Sequence, residues 1–252
     1  LEQQWQPAGE PRPFLKLGVS EGFEYVYDPN LPQGERILAM SLNGEPIDAA
    51  TSYKVVANSF LAAGGDAFTA FQQGTGKVDS GRIDLDAFVA YIGANSPVTA
   101  KFEQRSVGAA LSAPANGTAY EQGEQVTAQL SSLLFSAGGP RDGEAAISIG
   151  DAVLGSAPIT FQIVDTRDEQ GTATISFAIP RGVEGTVALT ITGPGGTSVD
   201  LPIEVAESAP VDPVRTSTSA SAPLLSFGGK ISYAVKVTAA DGSTPVGTVT
   251  IR

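Results

Sequence analysis

Thr172-Ala173-Thr174-Ile175-Ser176-Phe177-Ala178-Ile179 alternates apolar residues with small hydroxyl-bearing ones. Ala173, Ile175, Phe177 and Ile179 fall on one side, with Thr172, Thr174 and Ser176 on the other. A period of two over this length marks a strand with one buried face and one wet face. The reading extends outward in both directions. Upstream, Val126, Ala128 and Leu130 alternate with polar residues, as do Ile147 and Ile149. Downstream, Val187, Leu189 and Ile191 repeat the pattern, and Ile203 and Val205 finish it. Asn116-Gly117, Asp142-Gly143 and Gly193-Pro194-Gly195-Gly196 separate these runs with residues suited to tight turns.

About seven short strands joined by Gly-rich turns over about 100 residues predict an antiparallel β-sandwich of immunoglobulin-like type across residues 106–206. Residues 207–222 are rich in Ser, Thr, Ala and Pro, and read as a linker stiffened by Pro210 and Pro213. Alternation resumes at Ile231, Tyr233, Val235 and Val237, turns at Asp241-Gly242 and restarts at Val249 and Ile251. Two or three strands cannot bury a sandwich core. Residues 223–252 therefore read as a truncated second sandwich. Ala239-Ala240-Asp241-Gly242-Ser243-Thr244-Pro245-Val246-Gly247-Thr248-Val249-Thr250-Ile251 resembles the bacterial Ig-like repeats of surface proteins.

Residues 1–105 have a different texture, with the only Trp, the only Met and most of the Phe and Tyr. Tyr25 and Tyr27 alternate with Glu24 and Val26, a strand signal, and Asp28-Pro29-Asn30 follows as a turn. Residues 36–42 read as a second strand closed by Asn43-Gly44, and residues 53–57 as a third. Asp66 is placed to cap a short helix carrying Phe68 and Phe71. Asp84 or Asp86 caps another, on which Leu85, Phe88, Val89 and Ile92 recur at helical spacing. Glu2 and Trp5 read as a helix end, with Trp5 packing, and Arg36 and Arg82 as surface or structural pairs. The whole is an α+β segment followed by an all-β sandwich and part of another.

Composition excludes several chemistries. The chain of 252 residues has no Cys and no His. Disulfides, thiol nucleophiles and iron–sulfur clusters are excluded, and so are Ser-His-Asp catalysis and His-ligated zinc. Its net charge of −12 repels phosphate backbones, so a nucleic-acid polymer is not an expected partner. No apolar run approaches the ~20 residues needed to cross a bilayer. Abundant Thr, Ser, Ala and Gly with only six Lys suit a secreted bacterial protein. The chain opens without Met and closes directly after a strand-like run, which reads as a fragment of a longer polypeptide.

Residues 53–68, Tyr53-Lys54-Val55-Val56-Ala57-Asn58-Ser59-Phe60-Leu61-Ala62-Ala63-Gly64-Gly65-Asp66-Ala67-Phe68, carry the most specific motif. Read from its residues alone, the segment is a strand end, a glycine-permitted turn and a helix start, with Asp66 as cap and Phe60 as core filler. It also resembles the signature of the C-terminal domain of the 5′-nucleotidase family. Tyr25-Val26-Tyr27-Asp28, Gly34-Glu35-Arg36-Ile37, Leu42-Asn43-Gly44-Glu45-Pro46-Ile47-Asp48 and residues 84–92 agree in the same order. Ala67 departs from the pattern, standing where many members carry Gly.

The resemblance implies a domain that binds the nucleoside of a nucleotide substrate. Phe60 would be one of two rings stacking the base, Asp66 the carboxylate holding the ribose hydroxyls, and Asn58 a neighbour of the site. It also implies an upstream metallophosphoesterase domain holding divalent metal ions, which this His-free chain does not contain, so no cofactor is expected on the fragment itself. The expectation is the substrate-recognition part of a secreted or wall-associated bacterial nucleotide phosphohydrolase, with Ig-like spacers. The alternative is a non-catalytic surface, adhesion or structural module.

Overall fold

The computed structural model describes residues 1–164, 169–207, 216–221 and 234–239. The chain divides into two compact units, Leu1–Ala206 and Glu207–Arg252.

In the first unit a short 3-10 turn, Glu2–Gln4, precedes β1 (Phe23–Tyr27), β2 (Ile37–Leu42) and β3 (Glu45–Pro46). Asn43 and Gly44 join β2 to β3 with φ of 55° and 82°. This is the pair of left-handed residues that an Asn-Gly hairpin turn requires, as expected. The short α1 (Ser59–Ala62) and the longer α2 (Asp84–Asn95) follow. Eight strands come next: β4 (Ser106–Leu111), β5 (Gln125–Ser131), β6 (Glu144–Ile149), β7 (Ala152–Pro158), β8 (Thr160–Val164), β9 (Glu169–Ala178), β10 (Gly185–Thr192) and β11 (Ser198–Val205).

These strands build two sheets. One has seven strands in the order β3-β2-β1-β4-β5-β9-β8, and the other four in the order β11-β10-β6-β7. Their inner faces share one core. Val126, Ala128, Leu130, Ala173, Ile175, Phe177 and Ile179 meet Ile147, Leu189, Ile191, Val199, Leu201 and Ile203 there, every one of them buried. The inward alternation expected from the sequence is thus the alternation that packs.

One sheet runs across residue 105. Strand β1 pairs in parallel with β4, Tyr25 opposite Ser106, Val26 opposite Val107 and Tyr27 opposite Gly108. Strand β1 is therefore buried on both faces. Val26 joins the sandwich core. Tyr25 and Tyr27 point the other way, into a second cluster with Trp5 and Phe14. The rings of Trp5 and Tyr27 meet edge-on at 5.4 Å, and Arg36 lies over the Trp5 ring at 5.0 Å. Trp5 and Arg36 are thus structural, in line with the sequence reading. The buried phenols are satisfied: Tyr25 Oη donates to Gln4 Oε1 (3.0 Å), and Tyr27 Oη is bonded to Ser132 Oγ (2.9 Å). Lys16 Nζ donates to the same hydroxyl at 3.0 Å. Residues at the start of the chain are fastened through that oxygen to the end of β5.

Three local expectations are corrected. Residues 53–57 form no strand and lie largely in solvent, Val55 and Val56 being 69% and 98% exposed. A strand needs a neighbour for its backbone groups, and no ladder reaches this one. Helix α2 starts after Ile83 with no side-chain cap, so neither Asp84 nor Asp86 is the N-cap; both sit in the first turn, where carboxylates favour the helix dipole. Its apolar stripe faces outward, with Leu85, Phe88 and Val89 each more than 60% exposed. Glu2 belongs to a 3-10 turn, and its carboxylate accepts from the Gly34 and Ile37 amides, both at 2.9 Å.

In the second unit β12 (Thr216–Ser221) pairs antiparallel with β13 (Ala234–Ala239). Strand β12 lies inside the stretch predicted as linker. Its near-continuous hydroxyl residues, including β-branched Thr216 and Thr218, tolerate a strand once a partner is present. The rest of the expected second sandwich, residues 223–233 and 240–252, lies outside the described residues.

Candidate functional site

The three residues singled out by the motif sit within one tight loop. Asn58 is the N-cap of α1, with extended backbone (φ −66°, ψ 160°), and its Oδ1 accepts from the Leu61 amide at 2.8 Å. Asn is among the best residues for this position because the side chain satisfies an otherwise orphaned amide. Asn58 therefore organises the loop from its first residue.

Phe60 lies on α1 and is 56% exposed, so it is not a core filler. Its ring covers Gly65. A Cβ built on Gly65 would stand 2.5 Å from Cε1 and Cζ and 2.6 Å from Cε2 of that ring. Gly64, immediately before, has φ +83°, a left-handed conformation that favours glycine.

Asp66 follows in a 3-10 turn, Gly65–Ala67, and takes left-handed backbone angles itself (φ 51°, ψ 39°). It is not a helix cap: the next 3-10 turn, Thr69–Gln73, begins after Phe68 without a side-chain cap. Its exposed carboxylate faces Arg12, whose Nη2 is 3.4 Å from Oδ2. Ala67 is also left-handed, with φ 58°. Ala67 thus occupies a conformation that favours glycine.

Three contacts hold this loop in place. Phe68 is buried, 3% exposed, and packs 6.2 Å from Phe71. Gln72 Nε2 donates to the Ala63 carbonyl at 2.7 Å. Gln3 grips the far side, donating from Nε2 to Thr69 Oγ1 (2.7 Å) and accepting the Ala70 amide at Oε1 (2.9 Å). Arg12 and Gln3 escaped the sequence reading because they lie 54 and about 66 residues from their partners, and no periodicity reports such pairing.

The site is an open surface with one ring, one carboxylate and one guanidinium. The depression of about 250 Å³ lined by Gly81, Arg82, Ile83, Asp86 and Ala87 lies at the start of α2, and none of these residues belongs to this loop. Among the described residues, no group of three or more acidic side chains is placed to hold a metal ion.

Residues 1–73 match the model of a family described as 5′-nucleotidase, C-terminal domain. Three relatives agree. An apyrase of Tabanus yao is 33% identical over 92 residues, covering 33% of this chain and 17% of the relative. A 5′-nucleotidase-related protein of Glossina morsitans morsitans is 31% identical over 104 residues, 38% of this chain and 18% of the relative. Protein UshA of Escherichia coli is 36% identical over 59 residues, 23% of this chain and 11% of the relative. The matched stretches span less than a fifth of these relatives' length. No helix among the described residues is long and apolar enough to cross a membrane. Residues 1–73, with the Phe60–Asp66 loop inside them, are therefore similar to a stretch of the 5′-nucleotidase C-terminal domain.

Proposed function

We propose that residues 1–105 are the later, nucleoside-recognising part of a nucleotide phosphohydrolase of 5′-nucleotidase type. Residues 106–206 are its Ig-like spacer, and the whole is exported to the bacterial surface or medium. Phe60 stacks the base, Asp66 accepts the ribose hydroxyls, and Asn58 shapes the loop that carries both. Metal-dependent cleavage of the phosphate ester belongs to a domain outside this chain.

The single observation that carries this reading is the Phe60–Asp66 pair: an aromatic ring left in solvent, six residues from a carboxylate held by one exposed partner. Exposing a Phe ring costs hydrophobic free energy that a stacked base would recover. Each contact has a stated worth. Stacking contributes about 1–3 kcal/mol per base, and a hydrogen bond to a charged group about 1.5–3 kcal/mol. Against the cost of association these two contacts give at most weak binding by this chain alone, with most of the affinity of a full enzyme missing.

Titration of the chain with adenosine, followed by NMR, tests the reading. The expected result is saturable binding that Asp66→Asn weakens about tenfold, while 2′,3′-dideoxyadenosine binds wild type and variant alike. Absence of binding, or equal losses for both nucleosides, would overturn the assignment in favour of a non-catalytic surface module.

A further inference from the structure

The two glycines of the motif do different jobs, and the second bears on ligand recognition. Gly64 is needed for conformation: its φ of +83° is left-handed, and a Cβ there would also meet Gln72 Nε2 at 2.7 Å. Gly65 does not take a left-handed φ, so its backbone accepts an L side chain. What it lacks is room. The Cβ it would carry stands 2.5, 2.5 and 2.6 Å from Cε1, Cζ and Cε2 of Phe60. Real contacts of a Cβ essentially never fall below 3.0 Å.

Those three distances also define the ring's attitude. Three consecutive ring carbons equally far from one point place that point on the normal through the ring centre. An approach to the edge would give one short distance and two longer ones. Phe60 therefore lies face-on against the Gly65 backbone, with one face covered by the peptide chain. The side chain is nevertheless 56% exposed, which leaves the opposite face to solvent. Gly65 is also the residue before Asp66, so the peptide that sets the ring's height is bonded to the residue that supplies the carboxylate.

We propose that Gly65 is a positioning residue of the nucleoside site. Its missing side chain lets the Phe60 ring lie flat on the backbone, at a fixed offset from Asp66, as a one-sided platform for a single planar heteroaromatic base. This rests on the nucleoside reading above and deepens it: selectivity for a base-bearing ligand comes from the space at residue 65 as well as from the ring.

The substitution Gly65→Ala isolates the effect, because it adds one methyl without backbone strain. In the full chain, Gly65→Ala is expected to weaken adenosine binding about tenfold while leaving the melting temperature unchanged. In a Phe60→Ala background the same substitution should do nothing further, since there is no ring to displace. Wild-type affinity in Gly65→Ala, or a loss that persists without the ring, overturns the proposal. A second measurement needs no ligand. A face-on ring shifts the Gly65 Hα resonances upfield, and Phe60→Leu should return them to the ordinary glycine range. If the shift is present and adenosine does not bind, the nucleoside reading fails and the ring placement stands. If the shift is absent, the placement itself is wrong.

Discussion

Strand β1 and helix α2 make an instructive pair. Both are rich in apolar residues, and both lie within residues 1–105. Strand β1 is central in its sheet, and Tyr25, Val26 and Tyr27 are each 1% exposed. Helix α2 leaves Leu85, Phe88, Val89 and Tyr91 at 57–64% exposure. The sequence pattern is equally clear in both. What differs is whether a second surface faces the apolar one. Strand β1 has neighbours on both edges and a cluster on each face, whereas α2 has no buried residue of its own. Periodicity proposes a face to bury, and burial itself needs something to bury it against.

Four substitutions break or sharpen this contrast. The largest effect belongs to Tyr27→Ala, which empties a site against Trp5 and strips a partner from Ser132. A loss of about 3–5 kcal/mol in urea unfolding is expected. A loss below about 1 kcal/mol would mean that the second aromatic cluster does not hold the sheet together. Ala67→Gly acts next, and with the opposite sign. Relieving a left-handed Ala should stabilise the loop by about 1 kcal/mol after the extra entropy of Gly in the unfolded chain. A lower melting temperature would contradict the φ of 58° at that residue.

Glu24 gives a smaller, pH-dependent effect. It lies on β1 beside the buried residues, and burial, followed by the nearby carboxylates of Asp200 and Glu103, raises its pKa above the ordinary glutamate value; Arg105 opposes them. A carboxyl whose pKa rises on folding favours the fold when protonated. That contribution is complete below the unfolded-state pKa and is lost as pH rises through the folded one. Glu24→Gln should therefore melt higher than the parent at pH 7, with the gap closing in the acid range. A constant gap from pH 4 to pH 7 would show that the carboxylate is not strained. The smallest effect is expected for Phe88→Ala on α2, within about 0.5 kcal/mol of zero. A loss of more than 1 kcal/mol would place the α2 face against a surface of the chain and erase the contrast with β1.

The legible part of the molecule is the part governed by neighbours in sequence. The alternation of residues 172–179 was readable because a strand's two faces differ by one residue, and that period survives in any sheet that buries one side. Asn43-Gly44 was readable because a two-residue turn demands positive φ at both positions. The motif around Phe60 drew attention to three residues that do share one loop. Its local reading still failed at Asp66: the capping role belongs to Asn58, and Asp66 takes a left-handed turn beside Arg12.

Sequence by itself thus determined the strands β5, β6, β9, β10 and β11, the β2–β3 hairpin turn and the position of the Phe60–Asp66 motif. Each depends on conformational preferences that act over one to four residues. Tertiary structure alone decided that β1 joins β4 in one sheet, that Tyr25 and Tyr27 are buried while residues 53–57 and α2 stay in solvent, and that Arg12 meets Asp66. Those outcomes depend on which distant surfaces meet, and a buried face and a solvent face can carry the same periodicity until a partner covers one of them.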